Sequence, residues 1–108
     1  MKEKLLNIIN HYGLENQQRK LQEEVFELQE VITQVRLLSY QNELSERHDE
    51  KPAWKIDEYM KFIEEEIADV YVLLNQFFYY YGLDSEKIQK IMELKVNRQI
   101  NRMKEEEE

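Results

Sequence analysis

Cysteine is absent from this 108-residue chain, which excludes disulfides, thiol catalysis and cysteine-based zinc sites. Proline occurs once and glycine twice. Tight turns are therefore scarce, which argues against all-β folds and glycine-rich phosphate loops. No apolar run approaches the ~20 residues of a membrane span. The N-terminal cluster Leu5, Leu6, Ile8 and Ile9 is interrupted by Asn7, and no small-residue cleavage site follows it, so it does not read as a signal peptide. Positive charge is also in deficit: 15 Lys and Arg stand against 23 Asp and Glu, a formal net charge of −8. Such a surface repels a polyphosphate backbone, and no nucleic-acid partner is expected. A small phosphorylated ligand can still be held through a bridging cation. The expectation is a soluble, cytoplasmic protein without a membrane partner.

What is present favours helix. Glu, Lys, Gln, Leu and Ile dominate, and most of these propagate a helix at little cost. The 42% hydrophobic share is enough for a core, so the 35% charged residues do not imply disorder. Period and punctuation predict an all-α fold of four helices. The first covers about Lys2 to His11 and ends before Gly13. The second covers about Asn16 to Tyr40, with Leu21, Val25, Leu28, Ile32 and Val35 at helical spacing. A polar stretch from Asn42 to Lys55, holding Pro52 and Trp54, reads as a loop. The third helix covers about Asp57 to Tyr81, with Asp57 as N-cap and Gly82 as C′. The fourth starts at Asp84 or Ser85 and reaches about Lys104. One domain over residues 1–104 is expected, followed by a frayed acidic tail over 105–108.

Helical angles, at about 100° per residue, separate the carboxylates. With Leu21 at zero, the apolar stripe of the second helix centres near roughly 330°; Glu24 falls inside it at about 300°, and Glu27 on its edge at about 240°. Glu23 and Glu30 point away. With Glu66 at zero, Tyr59, Ile63, Val70, Leu73 and Phe77 centre near roughly 40°, so Glu66 lies within that face and Asp69 on its border. Glu64 and Glu65 lie outside it. Burying several carboxylates together is costly unless a cation compensates. Two such pairs on long antiparallel helices offer oxygen ligands of the kind that Mg²⁺ takes alongside water and phosphate. A di-iron bundle is disfavoured, because neither His11 nor His48 follows a Glu by three residues.

These residues carry a resemblance. Glu23-Glu24-Val25-Phe26-Glu27 and Glu65-Glu66-Ile67-Ala68-Asp69 fit the pattern Glu-Glu-x-x-Glu, gap, Glu-x-x-Asp of the MazG-like all-α nucleoside triphosphate pyrophosphohydrolases. The lead-in GLENQQRKLQEEVFEL, with Gln17 two turns before Glu24, is similar too, as are Lys95, Arg98 and Arg102 in the last helix; the likeness spans about residues 12 to 104. It implies a four-helix bundle-like fold with two long antiparallel helices and flanking shorter ones. It also implies hydrolysis of a nucleoside triphosphate to monophosphate and pyrophosphate, in a role such as nucleotide-pool house-cleaning, and assembly as a homodimer or homotetramer. Carried over, Glu24, Glu27, Glu66 and Asp69 would be catalytic ligands of Mg²⁺, with Mn²⁺ as a substitute.

Further substrate contacts are suggested by residue chemistry. Lys95, Arg98 and Arg102 recur at i, i+3 and i+7, one helical face suited to phosphate oxygens. Lys20 is a weaker cation of the same kind. Trp54 suits stacking on a base, and Gln17 a hydrogen bond to a base edge or phosphate. Ile63, Leu73, Leu74, Phe77 and Phe78 with Met60 and Ile67 spread apolar character over roughly 160° of the third helix, which points to burial against a second subunit. Two other readings stay open. One is a non-catalytic helical interaction module. The other is a phosphoribosyl-ATP pyrophosphatase, disfavoured because Tyr71, Leu73 and Leu74 follow Asp69 where those enzymes usually carry a histidine.

Overall fold

The computed structural model describes residues 1–47 and 56–107. Among them are four α-helices and no strand: α1 Lys2–Tyr12, α2 Leu14–Arg47, α3 Ile56–Tyr80 and α4 Ser85–Glu107. The all-α expectation is met, with differences at the boundaries. The second helix runs on to Arg47, into the stretch read as loop. Polarity is not a stop signal; Glu43 and Leu44 are good helix formers, and no Gly or Pro intervenes before Pro52. Pro52 and Trp54 lie outside the described residues. Asp57 is not the N-cap of α3, since the helix already includes Ile56; with Glu58 it occupies the first turn, where the helix dipole favours acid. Glu105 to Glu107 continue α4 rather than fraying, as expected of a strong helix former.

Both glycines act as helix terminators. At Gly13, φ is 92° and the N–H donates to the Ile9 carbonyl at 2.9 Å, so one residue separates α1 from α2. Gly82, at φ 63°, closes α3: its N–H donates to the Tyr79 carbonyl at 3.3 Å and that of Leu83 to the Phe78 carbonyl at 2.9 Å. This paired pattern is the Schellman ending, which a left-handed glycine permits. Asp84 then caps α4, its Oδ1 accepting from the N–H groups of Glu86 (3.0 Å) and Lys87 (3.2 Å).

α1 and α2 both pack against α3, and both run antiparallel to it. For α2, residues 17–24 share a cavity with 69–76, and residues 26–34 share a groove with Tyr59 and Phe62. For α1, Lys2 Nζ sits 5.8 Å from the Tyr79 ring centroid, while Ile8 and Tyr12 reach the Asp69–Gln76 stretch. The break at Gly13 thus lies over the middle of α3. The core is thin: Leu5 and Ile9 from α1, Leu38 from α2, Val70 and Leu73 from α3.

Among the described residues α4 packs on no other helix and is exposed throughout, so within one chain the packed unit consists of α1, α2 and α3, with α4 projecting from it. The radius of gyration is 19.2 Å, against about 13 Å for a compact domain of this length. The four-residue linker 81–84 ends in the Asp84 cap and directs α4 away from the others.

Candidate metal centre

Two consecutive acids on α2 meet opposite environments because α3 covers one face only. Glu24 is 6% exposed, while Glu23 is exposed. On α3, Glu66 is half-buried and Asp69 is exposed at the edge of the same face; Glu64 and Glu65 point to solvent. Antiparallel packing then brings carboxylate oxygens of Glu24, Glu66 and Asp69 within 4.8 Å of one another. Glu27 stands outside this tight group and is exposed. Its charge nonetheless reaches Glu66.

The electrostatics are unbalanced. Lys20 Nζ lies 3.3 Å from Glu24 Oε1, and this contact raises the Lys20 ammonium above its ordinary value. Lys20 also feels the charges of Glu23 and Glu27. Glu24 Oε2 and Glu66 Oε2 are buried without a hydrogen-bond partner. Burial first, then the adjoining Glu24 carboxyl and the charges of Glu27, Glu24 and Asp69, push Glu66 from 4.5 up to about 7. The donor set is all oxygen, as Mg²⁺ prefers. Buried oxygens without a hydrogen-bond partner and an excess of negative charge over the single ion pair to Lys20 fit a hard divalent cation.

The raised Glu66 value has a measurable consequence. Between pH 4.5 and 7 the folded protein holds a proton on Glu66 that the unfolded chain has released. The folded state binds more protons there, so stability falls as pH rises through that window and stays lower above it. Solvent screening at a half-buried site reduces the effect to about 1–2 kcal/mol. Thermal melts in chelator should therefore show a lower Tm at pH 8 than at pH 5.5. Millimolar Mg²⁺ should reverse the order, because a cation binds only the ionised set. A Tm that rises with pH in chelator would contradict the assignment.

The remaining sequence-derived positions divide. Gln17, on the first turn of α2, is buried at 7% exposure and lines the cavity beside Glu24 and Lys20. Lys95, Arg98 and Arg102 are exposed on α4, which touches no other helix, so one chain does not bring them to its own carboxylates. Trp54 falls outside the described residues. Sequence reasoning missed Gln76, which is 2% exposed on α3 with its Oε1 unpaired. Its signal was its position: seven residues after Asp69, it occupies nearly the same border of the helix. No family model, curated protein or solved structure matches this chain.

Proposed function

We propose that the chain is a Mg²⁺-dependent nucleotide pyrophosphohydrolase of MazG-like type, splitting a nucleoside triphosphate into monophosphate and pyrophosphate. The observation that carries this reading is the carboxylate group of Glu24, Glu66 and Asp69, with Glu27 at its rim; Glu24 and Asp69 also line a cavity of about 530 Å³. That volume is in the range of small-ligand sites. The acidic motifs that resemble the family are the ones whose members lie in or beside this group.

Glu24, Glu66 and Asp69 would hold the cation, and Glu27, exposed and near enough for its charge to act on Glu66, would orient a water molecule. Bound Mg²⁺, or Mn²⁺ in its place, would supply charge neutralisation and phosphate polarisation. Lys20 would hold Glu24 in place and offer a cation to a phosphate oxygen at the cavity rim. Phosphoryl chemistry of this kind needs placement and charge compensation more than a nucleophilic side chain, consistent with a cysteine-free chain.

The assembled state forms part of the proposal. On α4, Ile88, Met92, Val96, Ile100 and Met103 form an apolar stripe over about 120° of the helix, and Lys95, Arg98 and Arg102 flank one edge of it. An isolated helix with such a stripe is marginal in water. A homodimer, or a homotetramer built from dimers, would cover the stripe and deliver the three cations to the partner's carboxylates.

Incubation with a panel of ribo- and deoxynucleoside triphosphates and Mg²⁺, with pyrophosphate as readout, tests the reading. Release from at least one nucleotide, abolished by chelator, is expected. The exposed stripe on α4 equally suits the second reading, a helical interaction module without turnover. Absence of pyrophosphate from every nucleotide would favour that reading over the enzyme, and release from phosphoribosyl-ATP alone would favour the histidine-pathway chemistry.

A further inference from the structure

An open groove of about 850 Å³ lies between α2 and α3, with Phe26, Val31 and Ile32 on one wall and Tyr59 and Phe62 on the other. Phe26 is 59% exposed, and Ile32 and Phe62 are 48% exposed each. Large apolar side chains gathered and exposed in this way mark an interaction surface. The walls are also acidic. Between Lys20 and Arg36, α2 carries Glu23, Glu24, Glu27 and Glu30 and no base; between positions 57 and 69, α3 carries six acids against Lys61.

The fourth helix has the complementary character. Residues 85–104 hold six Lys and Arg against two Glu, and the rest of the chain holds nine against 21, so the helix stands at +4 and the remainder at −12. Its apolar residues Ile88, Met92, Val96 and Ile100 recur every four positions. A turn takes 3.6 residues, so the stripe shifts by about 40° at each step and becomes broad. A broad stripe suits a groove between two helices better than one facing helix. Pairing of α4 with α4 as a coiled coil is disfavoured, because a seam continued from Ile88 and Met92 would contain Lys95, Gln99 and Arg102.

We propose that the groove between α2 and α3 receives α4 of a second copy of this chain, the two copies exchanging their fourth helices. The exchange rests on the assembly proposed above and adds to it the surface that receives the helix; it does not depend on turnover. Charge selects the occupant: a basic amphipathic helix meets acidic walls, whereas the −12 carried by the rest of the chain opposes approach to an anionic lipid surface. Within its own chain α4 packs on no other described helix. A contact between two different surfaces closes into a dimer when it is exchanged about a twofold axis. The groove also adjoins the carboxylates, since Phe26 follows Glu24 by two residues and Phe62 precedes Glu66 by four. A helix seated there carries Lys95, Arg98 and Arg102, on the edge of its stripe, towards them.

The chain has no cysteine, so introduced cysteines report contact without background. Val96→Cys protein is mixed in turn with Phe26→Cys, Ile32→Cys or Phe62→Cys protein, refolded together, oxidised mildly and resolved on a non-reducing gel. All four positions are exposed, so the core is left intact. Tyr71→Cys, exposed on α3 outside the groove, is the control partner. At least one groove pair should give ~10-fold more covalent dimer than the control, because a seated helix holds the two thiols at high effective concentration. Peptide mapping should join position 96 to the groove position. Independently, Phe62→Asp should raise the dimer dissociation constant in sedimentation equilibrium by ~10-fold or more.

A protein that sediments as a dimer but cross-links no groove pair above the control would overturn the exchange and leave the assembly standing. A monomer at every concentration would remove both. With Val96→Cys and the reactive groove substitution in one chain, a covalent dimer is expected; a cross-linked monomer would mean that α4 folds onto its own groove, and would also overturn the exchange. Groove cross-linking without pyrophosphate release from any nucleotide would support the exchange and remove the enzyme reading.

Discussion

Replacing Glu24 by glutamine is expected to lower Mg²⁺-dependent pyrophosphate release by ~10²–10³-fold or more, a loss typical of removing one electrostatic contact made in the transition state. Replacing the adjacent Glu23 should leave the rate within about twofold, as for an ordinary surface substitution. The two residues are neighbours in sequence and chemically identical; only burial against α3 distinguishes them. Stability should move differently from activity. Glu24→Gln gives up an ion pair with the exposed Lys20, which is worth little, and relieves repulsion among four crowded carboxylates. The variant should therefore melt no lower than wild type in chelator, yet lose the increase in Tm that Mg²⁺ confers. Asp69→Asn should behave alike in activity. Equal losses for Glu23→Gln and Glu24→Gln would mean that α2 presents a different face to α3, and undiminished Mg²⁺ stabilisation of Glu24→Gln would remove Glu24 from the ligands.

The second large effect concerns α4. If the protein assembles as proposed, a double substitution on its apolar stripe, Met92→Asp with Val96→Asp, is expected to convert it to monomers in sedimentation equilibrium. It should also remove about a quarter of the helical signal, the share held by the 23 residues of α4. The physical ground is that α4 buries nothing among the described residues of one chain, so in the proposed assembly its helix would depend on packing between subunits. Activity should fall together with assembly if Lys95, Arg98 and Arg102 act across the interface. Complementation isolates that point. Glu24→Gln and Arg98→Ala subunits, each impaired alone, should recover activity when mixed and refolded together, because a mixed pair contains one intact carboxylate group facing one intact set of cations. A charged stripe that leaves the protein assembled, or a mixture no more active than its parts, would place the cations outside the site.

Much of the architecture was legible beforehand, for reasons visible at particular residues. Gly13 and Gly82 marked helix ends because positive φ is nearly free only for glycine. The angular positions of Glu24 and Glu66 within apolar stripes, and of Glu27 and Asp69 at their edges, match the observed order of burial. Other features were hidden. The extension of α2 to Arg47 was missed because a polar run looks like a loop unless the absence of a breaker is given weight. Gln76 lies on the border of the α3 stripe, and an uncharged amide there reads as an ordinary surface residue. Packing of α1 and α2 on α3 makes it a buried group.

The sequence by itself determined the periodic quantities: helix type, two helix ends, and which of several acids turn inward. These depend on local backbone geometry, with about 100° between successive side chains, and on the cost of burying charge, both of which act residue by residue. Tertiary structure alone decided the non-local ones. Packing of α2 against α3 gathered Glu24, Glu66 and Asp69 into one group and left Glu27 at its rim, which no helical wheel specifies because it depends on the register between two helices. Residues on both sides of the break at Gly13 line one cavity together with Asp69–Gln76 of α3. The Asp84 cap turned α4 outward, separating three cations from the carboxylates of their own chain, since the direction of a helix after a turn is fixed by the turn and by what it packs on rather than by its own pattern.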